Sequence, residues 1–213
     1  MFTPLELELE RGWPGKIEGD RVIQLAAQTL QAFFTGGGTA REHAVYPLGE
    51  VRFRSPVPQP PSIRIFDGDD FRFANPASVY GPDDVVPFPA GAESVGWELR
   101  RAAIIGAAET IGGFTILNDW VAAGLTGAKT RDFAVSLGPV VVTRDELTPR
   151  GPDWDALVEH ARRNTRLLPG DVIAAEPVEA ASGFGRGQAV ELELEGIGVL
   201  RNAIGMTARA RRS

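Results

Sequence analysis

Cysteine is absent from the 213-residue chain. That excludes disulfide cross-links, thiolate nucleophiles and thiolate-bound zinc, and it fits a reducing cytoplasm. Histidine is nearly as scarce, with only His43 and His160. Positive charge is in the minority: 22 Lys and Arg against 28 Asp and Glu leave a net charge of −6. A general binder of nucleic-acid phosphates needs clustered cations and is excluded on that ground. The basic cluster that is present, Arg209, Arg211 and Arg212, lies at the extreme C-terminus and reads as a solvated tail. No apolar run approaches the roughly 18 to 20 residues of a membrane-spanning helix. The opening MFTPLELELERGW is acidic where a secretory leader is basic and then apolar. The expectation is a soluble, cytoplasmic protein with neither nucleic acid nor membrane as a partner.

What the chain has in quantity is turn material, 25 glycines and 16 prolines, within an ordinary 43% hydrophobic and 23% charged composition. Residues 1–55 read as a small α/β segment. In VIQLAAQTLQAFF, Val22, Leu25, Ala26, Leu30, Phe33 and Phe34 follow helical spacing, and Gly36 to Gly38 stop the helix. The proline-rich connector Pro56 to Ser62 then leads into residues 56–213. There IRIF, SVY, DVVPF, AAIIG, FTIL, VVVT, DVIAA and AVELELEGIG alternate with turn signals, which predicts a β-rich α+β core of barrel or sandwich type. A helix is expected after Asp153, its N-cap, with Trp154, Leu157, Val158 and Ala161 on one side. Glu191, Glu193 and Glu195 alternate with apolar residues and read as the wet face of a strand.

Polar groups that could carry chemistry gather between Trp97 and Pro139. Glu98 and Arg100 stand two apart, so on a strand they share a side, continued into the core by Ala102 and Ile104. Asp119 follows the apolar run Phe114 to Leu117 and is expected at a strand end. Lys129 and Asp132 follow in a glycine-bearing loop. Converging on one mouth, these groups suit an anionic oxygen substrate, with or without a hard cation such as Mg²⁺. Surface ion pairs around strand ends are the plainer alternative.

VGWELRRAAIIG, GGFTILNDW, KTRDFAVSLGPVVVTRDEL, LLPGDVIA and ELEGIGVLRN, in that order over about Pro76 to Ile204, resemble the fumarylacetoacetate hydrolase family. The segment LERGWPGKIEGDRVIQLAAQTLQAFFTGGG resembles the N-terminal part of some bacterial members. The resemblance implies a mixed β-fold, a dimer, and Mg²⁺ or a similar cation that binds a 2-oxo or β-diketo acid for C–C hydrolysis, decarboxylation or isomerisation. Family ligands are a Glu-x-Glu pair and a later aspartate. They fall here on Glu98, Arg100 and Asp119, and Lys129 matches the lysine beside substrate and metal. Asp132 is taken as its companion in substrate binding; the alternative for Lys129 is a salt bridge to Asp132 or Asp119.

The departures from that pattern agree with one another. Arg100 cannot ligate a cation, because guanidinium stays protonated and offers no lone pair. IRIFDGDDFRFANPASVYG lacks the lid whose His and Glu activate water as general base, and LLPGDVIAAEPVEAASG has Glu176 and Pro177 in place of a Gly-Thr-Pro turn. Arg100 is therefore expected to replace the cation, pairing with Glu98 and Asp119, either structurally or as an anion-binding catalytic group. The acidic run Asp67, Asp69 and Asp70 is a turn or a replacement ligand set. Two functions stay open. One is an enzyme on a 2-oxo or β-dicarbonyl acid with altered or lost metal dependence. The other is a degenerate subunit acting as a scaffold, as a homodimer or paired with an active homologue.

Overall fold

A computed structural model describes residues 1–9, 11–147 and 151–205; the basic tail of Arg209, Arg211 and Arg212 lies outside them. The first part of the chain forms small sheets. Strand β1 (Phe2–Pro4) awaits a distant partner, and β2 (Gly15–Glu18) and β3 (Arg21–Leu25) precede helix α1 (Leu30–Thr35) and strand β4 (Glu42–Pro47). Strand β5 (Val51–Phe53) returns to pair with β1, while β3 lies between β2 and β4. The helix expected from Val22 onward is thus confined to its last turns. Val22 and Ile23 are β-branched and alternate in a ladder between two strands, and Val22 packs with Phe2 and Val51 instead. Thr29 then caps the helix, its hydroxyl accepting from the Ala32 amide.

The core begins with the hairpin β6 (Ile63–Asp67) and β7 (Asp70–Ala74), followed by the short strands β8 (Val79–Tyr80) and β9 (Val85–Pro87). Two long strands, β10 (Ser94–Ile105) and β11 (Ile111–Ala123), come next, then β12 (Val135–Thr143) and helix α2 (Trp154–Arg162). The chain closes with β13 (Val172–Phe184), β14 (Ala189–Leu194) and β15 (Gly198–Gly205). Seven strands make one curled, half-barrel sheet in the order β7-β6-β13-β10-β11-β12-β8. Its pairs are antiparallel except β13 with β6 and β12 with β8. A three-stranded sheet, β14-β15-β9, completes the strand-rich fold that the alternating runs predict.

Period-two alternation gives the large sheet two apolar faces, because both are covered. Leu99, Ala103, Ile105, Phe114, Ile116 and Ile173 pack under α2 and against β14 and β15. Ile63, Ile65, Ala102, Ile104, Leu117 and Val172 form the opposite face, which receives Phe34 from α1. Asp153 caps α2 as expected, accepting from the Ala156 amide, and Trp154, Val158 and Ala161 are its buried side. On β14, Val190, Leu192 and Leu194 are buried while Glu191 and Glu193 are exposed, as is Glu195 in the turn that follows.

Candidate active site

The face that carries Ile63, Ile65, Ala102, Ile104 and Leu117 becomes charged towards one end, and the strand register dictates where. Glu98 and Arg100 continue Ala102 and Ile104 on β10, and Asp119 continues Leu117 on β11. Asp67 continues Ile63 and Ile65 on β6, and Arg72 stands opposite Ile65 on β7. Asp119 is not at a strand end: β11 runs on to Ala123, held by Trp120, which is fully buried and donates its indole N–H to Ser136 at 2.9 Å. Glu98 likewise lies inside β10, directly opposite Asp119.

Like charges facing one another across a strand pair repel. Three guanidiniums offset this. Arg131, at the end of the 3-10 turn Gly127–Thr130, bridges the two acids: Nη2 donates to Glu98 Oε1 at 2.6 Å and Nη1 to Asp119 Oδ2 at 2.5 Å. Arg100 is only 1% exposed; its Nη2 donates to Glu98 Oε2 at 2.5 Å and to Asp67 Oδ1 at 2.7 Å. Its Nη1 donates to the carbonyls of Phe66 (2.8 Å) and Ala175 (3.1 Å), and its Nε lies 3.8 Å from Asp119 Oδ2. Arg72 donates to Asp119 Oδ2, and its Nε is 3.4 Å from Asp67 Oδ2. Arg72, Arg100 and Arg131 thus balance Asp67, Glu98 and Asp119 in charge. Two buried atoms, Arg100 Nε and Asp119 Oδ1, are left without a hydrogen-bond partner.

The two central acids respond oppositely to these surroundings. Burial works to raise the Glu98 pKa, but the bonds from Arg131 and Arg100 outweigh it and hold the carboxyl at about 2. Asp119 has no exposed surface, and burial raises its pKa despite the opposing charges of Arg72, Arg131 and Arg100; Glu98 adds to the rise. Glu98 is therefore a fixed anion and a poor proton acceptor.

Of the residues singled out in the sequence, Glu98, Arg100 and Asp119 come together, with the anticipated pairing of Arg100 to Glu98. Lys129 stays apart: its side chain is 76% exposed and its ammonium pairs with Asp132 at 2.6 Å, not with Glu98 or Asp119. Asp67 of the acidic run joins the cluster as a partner of arginine, and the DGDD segment is the turn between β6 and β7. Glu176 accepts from the Gly68 amide of that turn at 2.7 Å. His160 packs edge-on against Phe66 and Phe71 near Asp70, and His43 sits on exposed β4. Sequence reasoning missed Arg131 and Arg72. Two carboxylates forced opposite each other require neutralising cations nearby, and KTRDF and DFRF supply them. No group of three or more His, Asp or Glu side chains among the described residues is arranged to hold a metal ion. A groove of about 840 Å³ lies elsewhere, lined by Leu30, Phe33, Phe34, Val141, Glu146 and Ile197 among others, and contains none of the cluster.

Comparison with solved structures matches this arrangement of strands. Maleylpyruvate hydrolase from Sphingobium sp. SYK-6 is similar over 92% of this chain and 97% of its own, with 20% identity and a TM-score of 0.78. The same hydrolase has been solved with manganese(II) and pyruvate. A 5-carboxymethyl-2-hydroxymuconate delta-isomerase from Mycobacterium smegmatis is 25% identical, covering 91% of this chain and 94% of its own, with a TM-score of 0.72. An uncharacterized protein of Methanocaldococcus jannaschii is 28% identical over 170 residues, 62% of this chain and 71% of that protein. The family model for the fumarylacetoacetate (FAA) hydrolase C-terminal region matches residues 47–157, more than half of the 213 residues and the whole stretch from Asp67 to Arg131. With motif order, sheet and family model in agreement, the chain belongs to the fumarylacetoacetate hydrolase family.

Proposed function

We propose that the protein is an enzyme acting on a 2-oxo or β-dicarbonyl acid, in which guanidinium takes the place of the divalent cation. The observation that carries this reading is Arg100, buried and hydrogen-bonded to Glu98 at the second position of the pair that binds metal in the family. A cation facing Glu98 and Asp119 would share both acids with Arg100 and Arg131, and Asp119 also with Arg72. Like charges crowd any ion placed there, so the donor set does not fit a metal.

Fixed positive charge stabilises a developing enolate without reorganisation, and an arginine fork matches a carboxylate in shape. Decarboxylation and enol–keto isomerisation both pass through an enolate, and neither requires an activated water. They suit a chain whose β6–β7 region carries no histidine. In this reading Arg100 and Arg131 hold the anionic oxygens, while Lys129 and Asp132, paired with each other on the adjoining turn, are assigned to meet the substrate at the rim. Assembly as a homodimer, or with a homologue, belongs to the same reading. The exposed Lys129–Asp132 pair favours a second one, a degenerate subunit that serves as a scaffold.

Turnover of oxaloacetate and of acylpyruvates, assayed in EDTA, separates these readings. The expected outcome is activity that persists without added metal and falls about 10²- to 10³-fold in kcat in Arg131→Ala, the loss typical of one oxyanion-stabilising donor. Activity that appears only on adding Mg²⁺ or Mn²⁺ would overturn the cation-free site. A folded protein inactive under all conditions would move the assignment to the scaffold.

A further inference from the structure

The Asp67 carboxylate sits where a ligand's carboxylate would be expected to sit. Its Oδ1 accepts from Arg100 Nη2 at 2.7 Å and its Oδ2 lies 3.4 Å from Arg72 Nε, so it straddles two guanidiniums. It is also the most open acid of the cluster, with a side chain 50% exposed against 17% for Glu98 and 0% for Asp119. Arg100, which donates to it, is only 1% exposed. Asp67 opens a two-residue turn, Gly68-Asp69, closed by pairing with Asp70, and Gly68 has the positive φ of 72° that such a turn requires. From outside the cluster, Glu176 Oε1 accepts from the Gly68 amide of the turn, and His160 Nε2 lies 3.5 Å from Asp70 Oδ1 at its end.

We propose that Arg72 and Arg100 form a carboxylate seat that Asp67 fills as an internal stand-in, and that an incoming oxo acid takes this seat by displacing Asp67. Charge supports the exchange. With Asp67 in place the cluster is neutral, three arginines against three acids; with Asp67 withdrawn it gains one positive charge and matches one ligand carboxylate. Glu98 and Asp119 are not candidates for withdrawal, because each is fixed inside a long strand and bonded to Arg131. Glu176 acts as a positioning residue, setting how long the seat stays filled. It stands where the sequence departs from the family's usual turn, and this contact gives it a task.

The seat rests on the reading that the cluster receives a carboxylate, and it is tested by binding alone. Sodium oxalate is titrated calorimetrically into the full chain in EDTA at pH 7. Apparent affinity is the intrinsic affinity reduced by the fraction of time the seat is open. Asp67→Asn keeps the shape but not the charge, and oxalate is expected to bind it about tenfold tighter or more than the unaltered protein. Asp69→Asn, two residues away in the same turn, removes the same charge and is expected to leave binding unchanged. Glu176→Ala, which frees the turn with Asp67 intact, is expected to tighten binding, whereas Glu176→Gln, which retains the acceptor, is not.

Equal or weaker oxalate binding in Asp67→Asn overturns the proposal, as does an equal gain in Asp69→Asn. Should Asp67→Asn fail to fold, the Glu176→Ala result decides, and no tightening there overturns it. Oxalate binding without turnover of any oxo acid would remove the proposed reaction and leave the seat standing. Turnover with no response of oxalate binding to Asp67→Asn would do the reverse.

Discussion

Arg100 and Glu98 illustrate how a buried ion pair sets the chemistry of both its members. A buried guanidinium is costly to desolvate, and it is tolerated here because Glu98, Asp67 and two backbone carbonyls take up its donors. The consequence for Glu98 is a carboxyl held at about 2, well below its unfolded value near 4.5. A depressed folded-state pKa contributes stability that is fully present above about pH 4.5 and lost as pH falls towards 2. Urea unfolding of the protein and of Glu98→Gln from pH 7 to pH 2.5 is expected to show a gap on the order of 2 kcal/mol after solvent screening, narrowing below pH 4.5. At this scale Arg100 was legible because it breaks a spaced pattern. Arg131 was not, since nothing in KTRDF distinguishes the arginine that turns inward from the lysine that turns out; only the turn ending at Thr130 decides that.

Elements were legible where hydrophobic period and capping agreed. Helix α2 has both, a side built on Trp154, Val158 and Ala161 and the Asp153 cap, and Asp153→Ala is expected to lower thermal stability by about 1 kcal/mol. In the segment from Val22 to Phe34 the apolar spacing fits a helix, yet pairing with β2 and β4 takes its first half into a sheet. The β-rich core was readable from its alternating runs, but the lengths of β10 and β11 were not. Glu98 and Asp119 look like strand ends in a sequence window, because charge ordinarily marks the surface. Tertiary pairing carries both strands past them, and that continuation places the two acids opposite each other inside the sheet.

At the scale of the molecule, the fold of an enzyme family is retained, and the acids at the centre of its sheet, Glu98 and Asp119, are paired with arginine. The N-terminal segment is tied into the same body: Phe34 packs into the face that leads to the cluster, beside Gly112, where any side chain would meet its ring. The central claim is that guanidinium has replaced the metal. Its most direct test is calorimetric titration of Mn²⁺ into the protein and into Arg100→Glu. The account predicts no stoichiometric binding to the protein and its appearance in Arg100→Glu, where a third acid joins Glu98 and Asp119. Tight one-to-one binding to the unaltered protein, abolished in Glu98→Gln, would contradict it.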